Sequence, residues 1–144
     1  MQRLLLSAAL AIAFIAGVSA QDKPNFAGKW KSDNSYNSWT ITVEGSKMTV
    51  TVTIAGNSES TVYLLDGTPS KKTFEGPNGL MENVSTSTWE GEVLVTTTKT
   101  AFGTTVIEKR SIQPDGTMRV QTTLDIPGKP SPPPGPGLVL KKIG

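Results

Sequence analysis

Residues 39–54 read WTITVEGSKMTVTVTI, and their alternation decides the class of fold. Trp39, Ile41 and Val43 alternate with Thr40 and Thr42, while Met48, Val50, Val52 and Ile54 alternate with Thr49, Thr51 and Thr53. A period of two puts the apolar set on one face of an extended chain and the threonines on the other. Gly45-Ser46, between Glu44 and Lys47, suits a two-residue turn with glycine first. The register follows: Val43 faces Met48, Ile41 faces Val50, Trp39 faces Val52, and Glu44 pairs with Lys47 on the outer side. A strand face this consistently apolar needs a partner, so the hairpin belongs to a closed or stacked sheet.

Outward from this hairpin the chain continues in the same manner. All 19 threonines lie beyond Trp30, as suits the solvent face of a half-buried sheet, and no ten-residue stretch has helical periodicity. Strands are expected at 28–32, 38–43, 48–54, 60–65, 71–75, 83–89, 93–100, 104–112, 117–124 and 138–143. Asp66-Gly67 and Glu90-Gly91 are expected to close hairpins. Pro114-Asp115-Gly116 fits a type I turn with glycine in the left-handed position, and Gly76-Pro77-Asn78-Gly79 breaks the chain between two strands. The fold class is therefore all-β, a single antiparallel up-and-down barrel of eight to ten strands, whose closure removes exposed edges. Residues 127–137, PGKPSPPPGPG, cannot join a ladder and form a loop of polyproline II character. This loop is either a stiff connection that lets strand 138–143 pair beside the first, or a docking epitope for a protein partner.

The N-terminus carries a different signal. Arg3 precedes an apolar run from Leu4 to Ile15, and Ala16-Gly17-Val18-Ser19-Ala20 supplies small residues at a cleavage site. Residues 1–20 are expected to be a signal peptide, cut after Ala20, rather than an N-terminal membrane anchor, leaving no membrane span. The remaining residues 21–144 make one domain. With no cysteine, disulfides and thiolate chemistry are excluded, and an exported protein so built suggests a bacterial periplasm or cell exterior. Without Arg3, thirteen basic side chains face twelve acidic ones, and no basic run interleaves with aromatics. A nucleic-acid partner is disfavoured.

Catalysis has little to work with. There is no histidine, so the usual general base and commonest metal ligand are missing. The carboxylates Glu44, Glu59, Asp66, Glu75, Glu82, Glu90, Glu92 and Asp115 sit in or beside turns, where turn formation and solubility explain them. No metal or cofactor is expected, and Asp115 lacks the spaced ligands of a calcium loop. Val106, Glu108, Arg110 and Ile112 share one strand face, so a Glu108–Arg110 pair points either into the lumen or outward while Ile107 points in. Trp30 suits a structural plug, Trp39 a core or cavity wall, and Trp89 a rim position. The Asn83-Val84-Ser85 sequon reads as a chance occurrence.

Several segments carry a resemblance. Asn25-Phe26-Ala27-Gly28-Lys29-Trp30 resembles the Gly-x-Trp signature that opens the first strand of lipocalins and related calycin barrels. Tyr63-Leu64-Leu65-Asp66-Gly67 and Trp89-Glu90-Gly91-Glu92-Val93-Leu94-Val95 are similar to hairpins of bacterial exported lipocalin-like proteins, and Ile112-Gln113-Pro114-Asp115-Gly116-Thr117-Met118 to a late turn of those chains. The resemblance implies a barrel base built on Gly28 and Trp30, with Lys141 or Lys142 where a basic side chain covers the indole. It also implies an exported, non-catalytic protein holding a small, mainly apolar molecule in the lumen. The lining residues expected on the apolar strand faces are Trp39, Ile41, Val50, Val52 and Val95. The alternative is an interaction or inhibitor module with a filled barrel, acting through its loops.

Overall fold

The computed structural model describes residues 22–33 and 36–144; the leader expected at 1–20 lies outside the described residues. Ten strands follow one another without a helix among the described residues. They are β1 (Gly28–Lys31), β2 (Ser38–Glu44), β3 (Lys47–Ile54), β4 (Asn57–Leu64), β5 (Ser70–Gly76), β6 (Gly79–Glu90), β7 (Val93–Lys99), β8 (Thr105–Ile112), β9 (Met118–Asp125) and β10 (Leu138–Ile143). All pairings are antiparallel, in the order β4-β3-β2-β1-β10-β9-β8-β7-β6-β5. The first and last strands join, with Trp30 opposite Lys142, so the sheet curls into a nearly closed up-and-down barrel.

The first hairpin has the register that its alternation dictates: Val43 faces Met48, Ile41 faces Val50, Trp39 faces Val52 and Glu44 faces Lys47. Strand boundaries differ where the sequence carries no apolar alternation. β4 starts at Asn57 rather than 60, because its early residues are held by hydroxyl pairs across the ladder, Ser58 to Thr53 and Ser60 to Thr51, each at 2.7 Å. β6 starts at Gly79 rather than 83, because Pro77-Asn78 is a two-residue turn closed by Gly76 opposite Gly79.

One expected hairpin is absent. Asp66-Gly67 links β4 to β5, yet no ladder forms between them, and this is where the barrel stays open along its side. The connection is wider than a tight turn: the Asp66 carboxylate accepts from the Thr68 amide and hydroxyl, and Pro69 has no N–H to donate. Side chains bridge the gap instead. The Lys72 ammonium donates to the Glu59 carboxylate and, at 3.0 Å, to the Thr61 hydroxyl, while the Ser70 hydroxyl donates to the Val62 carbonyl.

The two ends of the barrel differ. At one end the segment 22–27 crosses the opening as a strap. Phe26 stacks on Trp89 with centroids 5.8 Å apart, and the Trp30 indole N–H donates to the Phe26 carbonyl at 2.9 Å. The Lys23 ammonium donates to the Gly91 carbonyl at 2.8 Å and lies 5.6 Å from the centre of a Trp89 ring. Above this plug a contiguous core is formed by Phe26, Trp30, Ile41, Met48, Val50, Leu94, Met118, Val120 and Leu140. Burying each such side chain is worth about 1.5–3 kcal/mol, so this half of the barrel supplies most of the apolar stabilisation.

Gly28 opens β1 with φ +137°, a conformation an L side chain avoids. A Cβ there would also lie 2.7 Å from Lys142 Cε, the far end of a flexible chain that can swing away. The backbone conformation is therefore the larger constraint. Gly28→Ala is expected to lower the unfolding free energy by about 1–3 kcal/mol in urea denaturation. Adding Lys142→Ala should recover little of it, since the strain stays.

Candidate binding cup

Cross-strand partners share a face, so the registers define the lumen. From Trp30, the inward set runs through Trp39, Ile41 and Val43 to Met48, Val50 and Val52, and then to Tyr63, Thr61 and Glu59. From Met118 and Val120 it runs to Ile112, Arg110 and Glu108, then to Leu94, Thr96 and Thr98, and on to Trp89, Ser87 and Ser85. The lumen is thus divided. β1 to β3 and β10 present apolar side chains, whereas β4, β6, β7 and β8 present a row of hydroxyl and charged groups. In β6 and β7, beyond the apolar pair Trp89 and Leu94, the inward side chains are paired hydroxyls: Ser87 pairs with Thr96 at 2.8 Å and Ser85 with Thr98 at 2.7 Å.

Depth divides the lumen again. Near the strap the inward residues are buried; toward the other end they reach solvent. Along β9 the sequence of inward residues is Met118 and Val120, both buried, then Thr122 and Leu124, both exposed, the latter 42 %. On β8 the Arg110 side chain is 5 % exposed and Glu108, one inward position higher, is 26 % exposed. The barrel is a cup: filled up to Arg110, open above it. From Thr105 at the rim to Glu108 is three residues, about 10 Å of strand.

The floor of the cup carries an ion pair. Arg110 donates to Glu108 at 2.6 Å and lies 3.6 Å from the Met118 sulfur; its Nε is buried without a hydrogen-bond partner. Tyr63 faces this pair from β4, close enough that the charges act on its phenol. Burial chiefly, and the Glu108 carboxylate next, raise the Tyr63 pKa, while Arg110 and the bond with Thr61 oppose them. At the gap, the bond from Lys72 holds the Glu59 carboxyl below its ordinary range.

The expected lining residues separate accordingly. Trp39 and Val52 stand half-buried on the apolar wall of the open half, and Ile41 and Val50 are packed into the floor. Val95 does not share their face. It stands opposite Thr88 and Lys109, out of phase with the inward Leu94 and Thr96, and so points to the outer side of the wall, though buried there. Its apolar neighbours in the run Val93-Leu94-Val95 conceal the alternation. Of the lysines beside Trp30, Lys142 lies 5.7 Å from a ring centroid, whereas Lys141 turns outward to Asp33 at 2.7 Å. The polar lining from Ser85, Ser87, Thr96 and Thr98 escapes a reading in which threonine marks the solvent face. A separate groove of about 540 Å³ lies at the closed end, outside the cup, between the strap and turns 45–46 and 65–66.

No protein-family profile matches the sequence, and no curated protein matches it. Solved structures do. A mutant of the REP1-NXSQ fatty acid transporter is 15 % identical over 81 % of this chain and 97 % of its own, with a TM-score of 0.56. Secretory abundant heat soluble protein 4 from Ramazzottius varieornatus is 14 % identical over 82 % of this chain and 94 % of its own, with a TM-score of 0.55. At such identities the likeness is one of fold, a calycin-like barrel.

The environment of Tyr63 gives a measurable sign. Its folded pKa lies above the unfolded value of about 10, so its contribution to stability is whole below pH 10 and is lost as pH rises through the folded value. In tyrosinate absorbance, Glu108→Gln should move this titration to lower pH. Tyr63→Phe should remove it and flatten the alkaline loss of stability.

Proposed function

We propose that this chain is an exported, non-catalytic binding protein that holds a compact, mainly apolar molecule in the open half of its barrel. One observation carries the reading: inward-facing side chains of an otherwise packed barrel, Leu124 and Thr122 among them, stand exposed above a buried floor. A chain of this size can fill its barrel completely; this one stops at Arg110. The apolar wall of Trp39 and Val52 would be covered by the ligand, at roughly 25 cal/mol per Å² of area removed from water. The ion pair supplies orientation. Glu108 already balances the charge of Arg110, so the floor suits a polar head that accepts one hydrogen bond rather than a strongly charged one. The fatty acid transporter of similar fold supports an apolar ligand class, and the depth of about 10 Å favours a compact molecule over a long extended chain.

The reading as a binding protein also fits the available chemistry: the sequence has no histidine or cysteine, and no three acidic groups come together among the described residues. Export rests on the sequence of residues 1–20, and a bacterial periplasm or exterior on the absence of cysteine from a packed sheet.

Two measurements test the proposal. An environment-sensitive apolar dye titrated against residues 21–144 should bind saturably, one to one, and quench tryptophan fluorescence. A short-chain alcohol should displace it better than a long-chain one. Thr122→Trp, which fills the cup beside Glu108, should weaken dye binding about tenfold or more; undiminished binding would place the dye elsewhere. Mass spectrometry of the exported product should give a chain beginning at Gln21; a product retaining residues 1–20 would make the segment an anchor.

A further inference from the structure

Of the ten large apolar side chains exposed among the described residues, Val62 lies on β4 and Leu138, Val139 and Ile143 on β10; the other six gather at one end of the barrel. Each of the five connections at the open end carries at least one at its tip or shoulder: Tyr36, Ile54, Leu80, Phe102, and Leu124 with Ile126. Tyr36 is 99 % exposed, Leu80 76 % and Phe102 70 %. None of the four turns at the closed end carries an exposed large hydrophobe. Single exposed hydrophobes need no explanation, but one per loop around a single opening is a pattern.

Charge follows the same axis in the opposite sense. Every turn at the closed end has a carboxylate in it or beside it: Glu44, Asp66, Glu90 with Glu92, and Asp115. Among the loops at the mouth, 55–56, 77–78 and 100–104 are uncharged, 32–37 has only Asp33, neutralised by Lys141, and 126–137 has only Lys129. Beside those loops stand Glu75, Lys99 and Asp125, so one end is acidic and the other is apolar with its few charges close to balance.

From this polarity we infer that the mouth docks on the surface of a lipid bilayer, with the rim side chains entering the headgroup boundary. An interface so composed, apolar tips with few and nearly balanced charges, matches a bilayer surface, and the acidic end is repelled from one carrying anionic lipid. Shape agrees. The tips form a ring around a hole, which a fluid surface can meet at every point. A second copy set mouth to mouth would meet loop tips only, short of the well-packed area of about 800 Å² per partner that stable interfaces need. The rim also leads inward: Phe102 packs at 6.4 Å on Phe74, and Phe74 shares the inward face of β5 with Lys72. An apolar molecule would pass from bilayer to cup without crossing water. The inference rests on the reading of the cup given above.

The test uses residues 21–144 without added ligand, and vesicles of phosphatidylcholine with a minority of phosphatidylglycerol. Co-sedimentation should show saturable binding. The double substitution Tyr36→Ser, Leu80→Ser should reduce it by about tenfold or more, with dye affinity of the cup unchanged. Tyr36→Asp alone, outside any strand at a side chain 99 % exposed, should weaken it in the same direction without affecting folding. No vesicle binding, or binding indifferent to both variants, would overturn the inference. A dimer that sediments as such and is dissolved by the same substitutions would also overturn it, assigning the rim to a second copy. Failure of the cup itself would show separately, as vesicle binding intact with no dye bound.

Discussion

The indole N–H of Trp30 donates to the carbonyl of Phe26, and the rest of the barrel is arranged around that bond. It pins the strap to the first strand, so that Phe26 meets Trp89 from β6 and Lys142 from β10 lies over the Trp30 ring. Elements far apart in sequence are thereby fixed at one end. A buried indole needs a partner for its N–H, and here the partner is the segment that closes the floor. With that end sealed, Met48, Leu94, Met118 and Leu140 pack as a core, and the opposite end is released from any need to do so.

How much of this the sequence discloses depends on whether the alternation is apolar against polar. In β2 and β3 it is, and the register is legible residue by residue. In β7 the run Val93-Leu94-Val95 is apolar on both sides, and Val95 cannot be assigned to a face without its partners Thr88 and Lys109. Beyond Trp89 and Leu94 the inward residues of β6 and β7 are themselves hydroxylic, as Ser87, Ser85, Thr96 and Thr98, so the lumen there looks like solvent face. The missing β4–β5 ladder is illegible for another reason. Asp66-Gly67 has the residues of a tight turn, and only Pro69 hints that the strands do not meet. The Glu108–Arg110 face could be read either way from β8 alone; its phase is set by Leu94 on one side and Val120 on the other.

The polar half of the lumen is what a cup requires. An empty apolar cavity forfeits packing on every wall, whereas hydroxyls that pair among themselves, as Ser85 with Thr98 and Ser87 with Thr96, are satisfied with or without an occupant. The apolar wall opposite, Trp39 and Val52, is then the part whose free energy changes on filling. The side gap obeys the same economy of contacts. Lys72 and Ser70 hold β5 to β4 through side chains, leaving the backbone edge unzipped at one seam while nine ladders remain intact.

Polarity along the barrel axis follows from these choices. Turns at the sealed end must reverse the chain tightly over a packed core, and they use glycine beside a carboxylate, as in Asp115-Gly116, where the side chain caps Thr117 and φ at Gly116 is +83°. Loops at the mouth lie over no core and are under no such requirement. Side chains found there are free to be polar, which would favour solubility, yet each loop presents a large apolar group. Stability does not ask for Tyr36, Leu80 or Phe102, since exposed as they are they bury little against the protein. Their cost in water is offset only by something outside the chain, and a surface that covers the whole ring at once is the geometry they share.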